Sequence, residues 1–241
     1  MANLLTEKSA KIDKSNISGL GYLERMLYLA PASISGFNVC PQATEGCKAS
    51  CIFTSGHGRY PRTQQARINR THRFFNDREQ FLTDLKEDIE KFEKKCDKLG
   101  QRAAIRLNGM SDLPWEKLDP SIFSDFPNIQ FYDYTKITSR MFSKLPKNYH
   151  LTYSRSEYNW DNCLKVLRAG KNVAMVFDWP QYTTKFMREN WLDLKPTTYQ
   201  RFKVADGETH DYRFLNKGLI GLYAKGRGRY DKTGFVVKQS V

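Results

Sequence analysis

The run AAIRLNG at 103–109 is a short, nearly continuous stretch of apolar residues, and comparable runs follow it along the chain. They are IQFYDYT at 129–135, YHLTYSR at 149–155, NVAMVFD at 172–178 and LIGLYAK at 219–225. Runs of this length and polarity are typical of strands buried on both faces of a parallel sheet. The segments between them leave room for crossover helices, which favours an α/β fold with either an open sheet or a closed barrel. We predict a (β/α) barrel, complete or partial.

Two helices are predicted ahead of these strands, at about 64–75 and 78–99, and Gly100 ends the second. The apolar residues on the inner face of the second helix are Phe81, Leu85, Ile89, Phe92 and Cys96. Their spacing of three or four residues is that of one helix face. Residues 1–20 are polar and are predicted to form an N-terminal arm. We predict that residues 21–241 form a single α/β catalytic domain, with a cysteine-rich metal loop near its beginning.

The charge and composition of the 241-residue chain narrow the classes of protein that it can be. Lys and Arg number 39 against 26 Asp and Glu, and the resulting net charge of +13 is typical of proteins that bind nucleic acid. No stretch approaches the roughly 20 apolar residues of a membrane span, which excludes a membrane-embedded protein. The N-terminus has no apolar segment of the kind found in signal peptides, so we expect a cytoplasmic protein.

The segment NVCPQATEGCKASCIFTSGHGRY at 38–60 carries three cysteines and one histidine close together. The candidate metal ligands are Cys40, Cys47, Cys51 and His57. Three thiolates and an imidazole are one ligand set of a tetrahedral structural zinc site. Three thiolates also hold a [4Fe–4S] cluster with one iron open to S-adenosylmethionine or substrate, and this alternative stays open. Cys96 and Cys163 lie on predicted helices, and we expect both in the core.

Polar side chains follow the predicted strands at the points where the strands end. Functional groups of parallel α/β folds lie at the carboxyl ends of the strands, so we expect these side chains to share one rim. The candidate catalytic residues are the carboxylates Asp112, Asp133, Asp178 and Glu157. The candidate substrate-binding residues are Arg106, Asn108, Ser111, Lys136 and Lys225. Arg106 and Asp133 lie inside otherwise apolar runs, where a charge is costly to bury unless it is paired.

Two segments of the chain are strongly basic. The first, RYPRTQQARINRTHR at 59–73, follows the cysteines, and its arginines are candidates for a phosphate-binding face. The second, KGRGRYDK at 225–232, combines cations with glycines that let a backbone approach phosphates. The candidate nucleic-acid-binding residues are Arg59, Arg62, Arg67, Arg70, Arg73, Arg227 and Arg229. We therefore expect the protein to bind nucleic acid, and specifically double-stranded DNA.

The motifs CPQATEGCKASC, RLNGMSDLPWE, FYDYTK and AKGRGR together resemble a family of bacteriophage proteins named after a mycobacteriophage gene product. The resemblance covers most of the chain from about Tyr28 onward. Through its barrel-like organisation and phage context, the chain is also similar, at a distance, to DpdA-type 7-deazaguanine DNA transglycosylases. These resemblances imply a phage-encoded pentosyltransferase in the cytoplasm of the infected host cell. Its implied reaction exchanges guanine in DNA for a 7-deazaguanine base.

Base exchange requires one carboxylate that attacks the anomeric carbon and a second group that protonates the departing purine. We expect Asp112 to be the nucleophile, since SD follows a predicted strand and a Gly turn, with Asp133 as the next candidate. Asp178 and Glu157 are reserves. Two other classes stay open. One is an iron–sulfur enzyme of radical SAM type that acts on nucleic acid or a nucleotide, and the other is a non-catalytic zinc protein that binds nucleic acid.

Overall fold

The computed structural model describes residues 3–178 and 194–239. The strands are β1 (Leu5–Thr6), β2 (Tyr22–Leu27), β3 (Arg102–Arg106), β4 (Gln130–Thr135), β5 (Tyr149–Ser154), β6 (Val173–Phe177), β7 (Thr198–Tyr199), β8 (Phe202–Asp206) and β9 (Leu219–Tyr223). The α-helices are α1 (Ala10–Asn16), α2 (Ala32–Ser35), α3 (Glu45–Ala49), α4 (Pro61–Asn76), α5 (Arg78–Lys98), α6 (Trp115–Leu118), α7 (Ser121–Asp125), α8 (Thr138–Phe142) and α9 (Trp160–Arg168). Short 3₁₀ helices span Ile52–Thr54, Gly56–Arg59, Arg213–Leu215 and Gly226–Tyr230.

The chain divides into two compact units, and neither is a continuous stretch of sequence. The first unit comprises Met1–Pro41, Gly56–Asp133 and Ser143–His150. The second unit comprises Gln42–Ser55, Tyr134–Phe142 and Leu151–Val241. The sequence predicts a single domain over 21–241 because the chain has no linker to mark a boundary. Each unit is built from three separate segments, so the chain crosses between the units several times. Such crossings need no Pro-, Gly- or Ser-rich linker, and the composition of the chain therefore does not show where the two units divide.

The first unit contains the amino-terminal strands and the long helix. Strand β2 runs parallel to β3, with Tyr22 opposite Arg102 and Met26 opposite Arg106, and β3 is parallel to β4. Helix α5 packs against β3 and α4. Its buried apolar residues are Phe81, Leu85, Ile89, Phe92 and Cys96. The helix and its inner face are therefore confirmed as the periodicity predicts.

The predicted polar arm packs into the first unit instead. Strand β1 pairs antiparallel with β2, and the Leu4 and Leu5 side chains are buried. Helix α1 begins at the Ser9 cap, and its Ile12 is fully buried while packing on β2. A few apolar residues among many polar ones are enough to bury one side of this segment, although its mean composition is that of a solvated tail.

The second unit contains the remaining parallel strands. Strand β6 pairs in parallel with β5 and with β9, and β9 pairs in parallel with β8. Strand β7 pairs antiparallel with β8 through a tight hairpin. All five apolar runs of the sequence form strands, which confirms the predicted mixed α/β fold with a mainly parallel sheet.

The strand order is β1–β2–β3–β4–β5–β6–β9–β8–β7. Among the described residues, β1 pairs with β2 alone and β7 with β8 alone, so these two strands are the ends of the order. Each has two residues and runs antiparallel to its neighbour, whereas a barrel needs its first and last strands to pair with each other. Barrel closure is therefore not confirmed, and the order fits the open sheet that the sequence left as the alternative.

Candidate functional site in the second unit

Strands β6 and β9 are neighbours in the second unit, but the chain does not pass directly from one to the other. It leaves β6, forms β7 and β8 beyond the position of β9, and then returns to form β9 between β6 and β8. The strand order thus reverses next to β6. Ligands of open parallel sheets bind outside the carboxyl ends of the strands at such a switch point.

The C-terminal segment 226–239 lies beside the carboxyl end of β6, on the edge that faces β5 and not on the edge that pairs with β9. The Val237 N–H donates to the Val176 carbonyl over 2.9 Å, and the Asp178 N–H donates to the Val237 carbonyl over 2.8 Å. These bonds place Val237 alongside β6 just beyond the end of β5. Arg155 Nη1 donates to the carbonyls of Gly234 and Phe235, the latter over 2.9 Å. The segment is therefore attached to the sheet by backbone and side-chain bonds.

We define the C-terminal cleft as two adjoining cavities along this segment. The first has a volume of about 180 Å³ and is lined by Asp178, Gly228, Arg229, Tyr230, Asp231, Lys232, Val236 and Lys238. The second has a volume of about 560 Å³ and is lined by Arg155, Asp231, Lys232, Gly234, Val236, Val237 and Lys238. The cationic residues of the cleft are Arg155, Arg229, Lys232 and Lys238. Its acidic residues are Asp178 and Asp231, so cations predominate.

The Asp231 carboxylate is occupied by the segment itself. It accepts from the Thr233 hydroxyl over 2.8 Å and from the backbone N–H groups of Gly234 and Val236 over 3.2 and 3.0 Å. Partial burial raises the pKa of this carboxyl, but the bonds from Val236 and Thr233 outweigh burial and lower the net pKa. Asp231 therefore acts as the centre of a turn, and the cleft stays positive around it.

Lys225 and Glu208 form a second charged group, at the carboxyl ends of β9 and β8. Lys225 Nζ donates to Glu208 Oε2 over 2.8 Å and lies 4.3 Å from the centre of the Tyr223 ring. Burial lowers the pKa of Lys225, but Glu208 and Tyr223 raise it by more, so its net pKa is raised. Lys225, a predicted substrate-binding residue, is thus charged and paired.

A buried arginine that the sequence does not single out lies behind these strands. Arg213 Nη2 donates to Asp211 Oδ1 over 3.0 Å, and its Nε donates to the Tyr134 hydroxyl over 2.5 Å. Burial lowers the pKa of Arg213, but Tyr134 and Asp211 outweigh burial and raise its net pKa. The backbone carbonyl of Gly207 accepts a further bond from Nη2 over 2.5 Å. The group is fully paired at the guanidinium and acts as structural support.

The predicted catalytic Glu157 caps a helix. Its two carboxylate oxygens accept from the Thr44 hydroxyl and from the Gly46 N–H, each over 2.6 Å. These donors belong to the first turn of α3, where a carboxylate is favourable. Lys136, predicted to bind substrate, has its Nζ 5.6 Å from the centre of the Phe235 ring.

The predicted Asp133 and its neighbours lie in the first unit, in a buried polar network centred on Asn108. Asp133 has no exposed surface and accepts from the Asn108 N–H over 2.6 Å and from the Tyr149 hydroxyl over 2.8 Å. Asn108 Oδ1 accepts from the Ser111 hydroxyl over 2.7 Å, and the Asn108 carbonyl accepts from Arg106 Nε over 3.1 Å. The structure thus brings Arg106, Asn108, Ser111 and Asp133 together. Their contacts are those of a structural network.

Asp112 also lies in the first unit, next to the cysteine segment. Its N–H donates to the Val39 carbonyl over 2.8 Å, and the residue is 8% exposed. Asp112 and Asp133 are both buried, so neither candidate nucleophile is presented to solvent. A strand-end position is visible in the sequence, whereas burial is set by the residues that pack over it.

The arginines of the first basic segment do not share one phosphate face. Arg67 is buried, with its guanidinium carbon 4.5 Å from the centre of the Tyr28 ring and Nη1 donating to the Met110 sulfur. Arg73 pairs with Asp84 over 2.5 Å. Arg70 donates to the Asn3 carbonyl over 3.3 Å, and burial together with Arg67 lowers its pKa. The exposed members of the set are Arg59 and Arg62 in the first unit and Arg227 and Arg229 in the second.

The predicted metal ligands are shared between the units. Cys40 and His57 belong to the first unit, and Cys47 and Cys51 belong to the second. Cys40 Sγ donates to the Met110 carbonyl over 3.4 Å, and His57 is an exposed residue of the 3₁₀ helix Gly56–Arg59. Within residues 3–178 and 194–239, no group of three or more His, Cys, Asp or Glu side chains is arranged to hold a metal ion. The zinc and iron–sulfur assignments stay predictions.

The two remaining cysteines lie in the core, as the sequence predicts. Cys96 and Cys163 are at most 1% exposed. Burial raises the pKa of the Cys96 thiol to about 11 and that of the Cys163 thiol to about 12. Both are therefore unreactive thiols near neutral pH.

In the described part of the chain, every helix is too short or too polar to cross a lipid bilayer.

Comparisons with known proteins give one match, which is to a protein family. No curated protein and no solved structure matches the chain significantly, and the predicted similarity to DNA transglycosylases is not confirmed. The model of a family described as Gene product 88 matches residues 3–239, nearly the whole sequence. The resemblance to a family named after a phage gene product is thereby confirmed, and the chain belongs to the Gene product 88 family.

Proposed function

We propose that the protein binds nucleic acid and that the C-terminal cleft receives the phosphates. The observation that carries this proposal is the grouping of Arg155, Arg229, Lys232 and Lys238 around one cleft beside the carboxyl end of β6. Phosphate contacts by Lys and Arg supply most of the sequence-independent affinity of nucleic-acid-binding proteins.

The charge balance of the cleft supports an anionic ligand. Asp231 directs its carboxylate into its own turn, and the guanidinium of Arg155 is held in place by the Gly234 and Phe235 carbonyls. Arg229 and Lys232 flank Tyr230 and are exposed. A chain with a net charge of +13 also attracts a polyanion over a distance, and this attraction raises the association rate.

Charge reversal within the cleft tests this proposal. We expect R229E combined with K232E to weaken binding of a fluorescently labelled oligonucleotide by roughly tenfold or more, because two phosphate contacts become repulsive. Fluorescence anisotropy at fixed salt measures the change.

The matched control is R168E combined with K217E, which makes the same change in net charge. Arg168 ends α9 and Lys217 precedes β9, so both exposed side chains lie towards the amino ends of the strands. We expect the control to bind nearly as tightly as the wild type. An equal loss in both variants would show that net charge alone, without the cleft, accounts for binding.

Base exchange in DNA is the second candidate function, and the position of Asp178 favours it. Asp178 alone among the four predicted catalytic carboxylates lines the cleft. In this reaction its carboxylate attacks the anomeric carbon as the bond to guanine breaks, and the departing guanine takes a proton from water. The incoming 7-deazaguanine then gives up a proton to solvent and displaces the carboxylate, which is released unchanged. We expect D178N to lose incorporation of labelled 7-deazaguanine into DNA while oligonucleotide binding persists. Absence of incorporation by the wild type would exclude this candidate and leave the binding proposal intact.

A further inference from the structure

We propose that the ligand of the C-terminal cleft is single-stranded nucleic acid and that one of its bases stacks on Tyr230. This inference rests on the proposed function and adds the form of the nucleic acid. It depends on the juxtaposition of an exposed aromatic ring with the phosphate-binding cations of one cavity.

Among the residues that the structure describes, Tyr230 is the aromatic member of the cleft lining. The residue is 81% exposed and lines the cavity of about 180 Å³ together with Arg229 and Lys232. Proteins that bind single strands combine a cationic groove along the backbone with aromatic rings on which the bases stack. The residues of the cleft supply both components within one short segment.

The ring is presented by a supported segment. Tyr230 ends the 3₁₀ helix Gly226–Tyr230, whose Gly228 is buried against Ser50. A Cβ at Gly228 would lie 3.4 Å from the Ser50 Cβ. The turn centred on Asp231 follows directly and holds the chain on the other side of the ring. Backbone that is held on both sides of Tyr230 loses little conformational freedom when a base stacks on the ring.

The geometry of stacking favours an unpaired strand. The Tyr230 ring can stack only on a base that has an uncovered face. The faces of a base inside a duplex are covered by its neighbours. A duplex would therefore contact Arg229 and Lys232 through its phosphates and leave the Tyr230 ring unused.

The test compares three probes of equal length, namely a labelled single strand, its duplex, and a sugar–phosphate strand that lacks bases. We expect Y230A to weaken binding of the normal single strand by about 5- to 150-fold, the range for loss of one stacked base. Y230F retains a stacking ring and should bind as the wild type does. The control is Y158A, which removes an equally prominent tyrosine, 88% exposed, that lines neither cavity.

The probe without bases separates stacking from phosphate binding. We expect the wild type to bind it more weakly than the normal strand, whereas Y230A should discriminate much less between these two probes. Equal affinity of the wild type for single strand and duplex, or unchanged binding by Y230A, would overturn the inference. If R229E combined with K232E still weakens binding in that case, the proposed function stands. If no probe binds the wild type, both proposals fail.

Discussion

Single carboxylates of this chain look alike in the sequence but differ in what surrounds them. Asp133 lies near the end of one predicted strand and Asp178 ends another, and both are candidate catalytic groups. Asp133 accepts bonds from Asn108 and Tyr149 with no exposed surface, whereas Asp178 lines the cleft. The local pattern identifies a strand end, and the donors that reach it come from elsewhere in the chain.

Asp133 is therefore predicted to stabilise the fold. We expect D133A to lower the free energy of unfolding by about 3 kcal/mol, because the Asn108 N–H and the Tyr149 hydroxyl lose their acceptor in a buried site. Y149F removes a single donor and should cost about 1 kcal/mol. Urea denaturation measures both values. Unchanged stability in D133A would mean that this carboxylate is not structural and would return it to the catalytic candidates.

His210 is predicted to make stability depend on pH. Burial and Arg213 lower its pKa, and its Nδ1 accepts from the Tyr212 N–H over 3.2 Å, which requires that nitrogen to be unprotonated. The unfolded chain takes up the proton first as the pH falls through about 6.5, so stability is lost from neutral pH towards acid. H210N keeps an acceptor and cannot titrate. Its urea midpoint should fall less than that of the wild type between pH 7.5 and pH 5.5, and equal falls would contradict this assignment.

At the scale of elements, the apolar runs and the periodic helix form where the sequence places them, and the turns are less predictable. The β7–β8 hairpin is one example. Its turn residues Gln200 and Arg201 have positive φ angles of 47° and 71°, a conformation that favours Asn and Gly. The residue types Gln and Arg do not predict a tight hairpin. The pairing of Thr198 with Lys203 closes this turn instead.

Replacing Gln200 and Arg201 with residues that adopt positive φ more readily is predicted to stabilise the second unit. We expect Q200N combined with R201G to raise the free energy of unfolding by about 0.5–1 kcal/mol, since both new residues adopt positive φ at lower cost. Thermal and urea denaturation both report the change. K217G, which places a glycine at an exposed position without a positive φ, serves as the comparison and should not stabilise the protein.

At the scale of the whole molecule, the chain has a net charge of +13, but some of its cationic side chains are buried and others are exposed to solvent. Arg67, Arg106 and Arg213 are buried. Arg229 and Lys232 are exposed beside a cleft. A formal charge counts these residues equally, but only the exposed ones are available to a polyanion.

The salt dependence of binding is predicted to follow the exposed cations. Each phosphate contact contributes about one unit to the slope of log affinity against log salt concentration. We therefore expect R229E combined with K232E to reduce the slope by about two, whereas R168E combined with K217E should leave it nearly unchanged. Titrations of a labelled strand at several salt concentrations give the slopes. Equal reductions in both variants would contradict a localised binding site.

The sequence by itself determined five of the strands, the long helix and the excess of positive charge, because each depends on residues close together in the chain or on composition. The runs 103–109 and 219–225 became β3 and β9 for this reason. Only the tertiary structure decided which charges are buried and which line a cleft. Tyr149 reaches Asp133, and the Gly234 carbonyl holds Arg155, across separations that no local pattern records. Burial and pairing are properties of such distant contacts, and the candidate site was determined at that level.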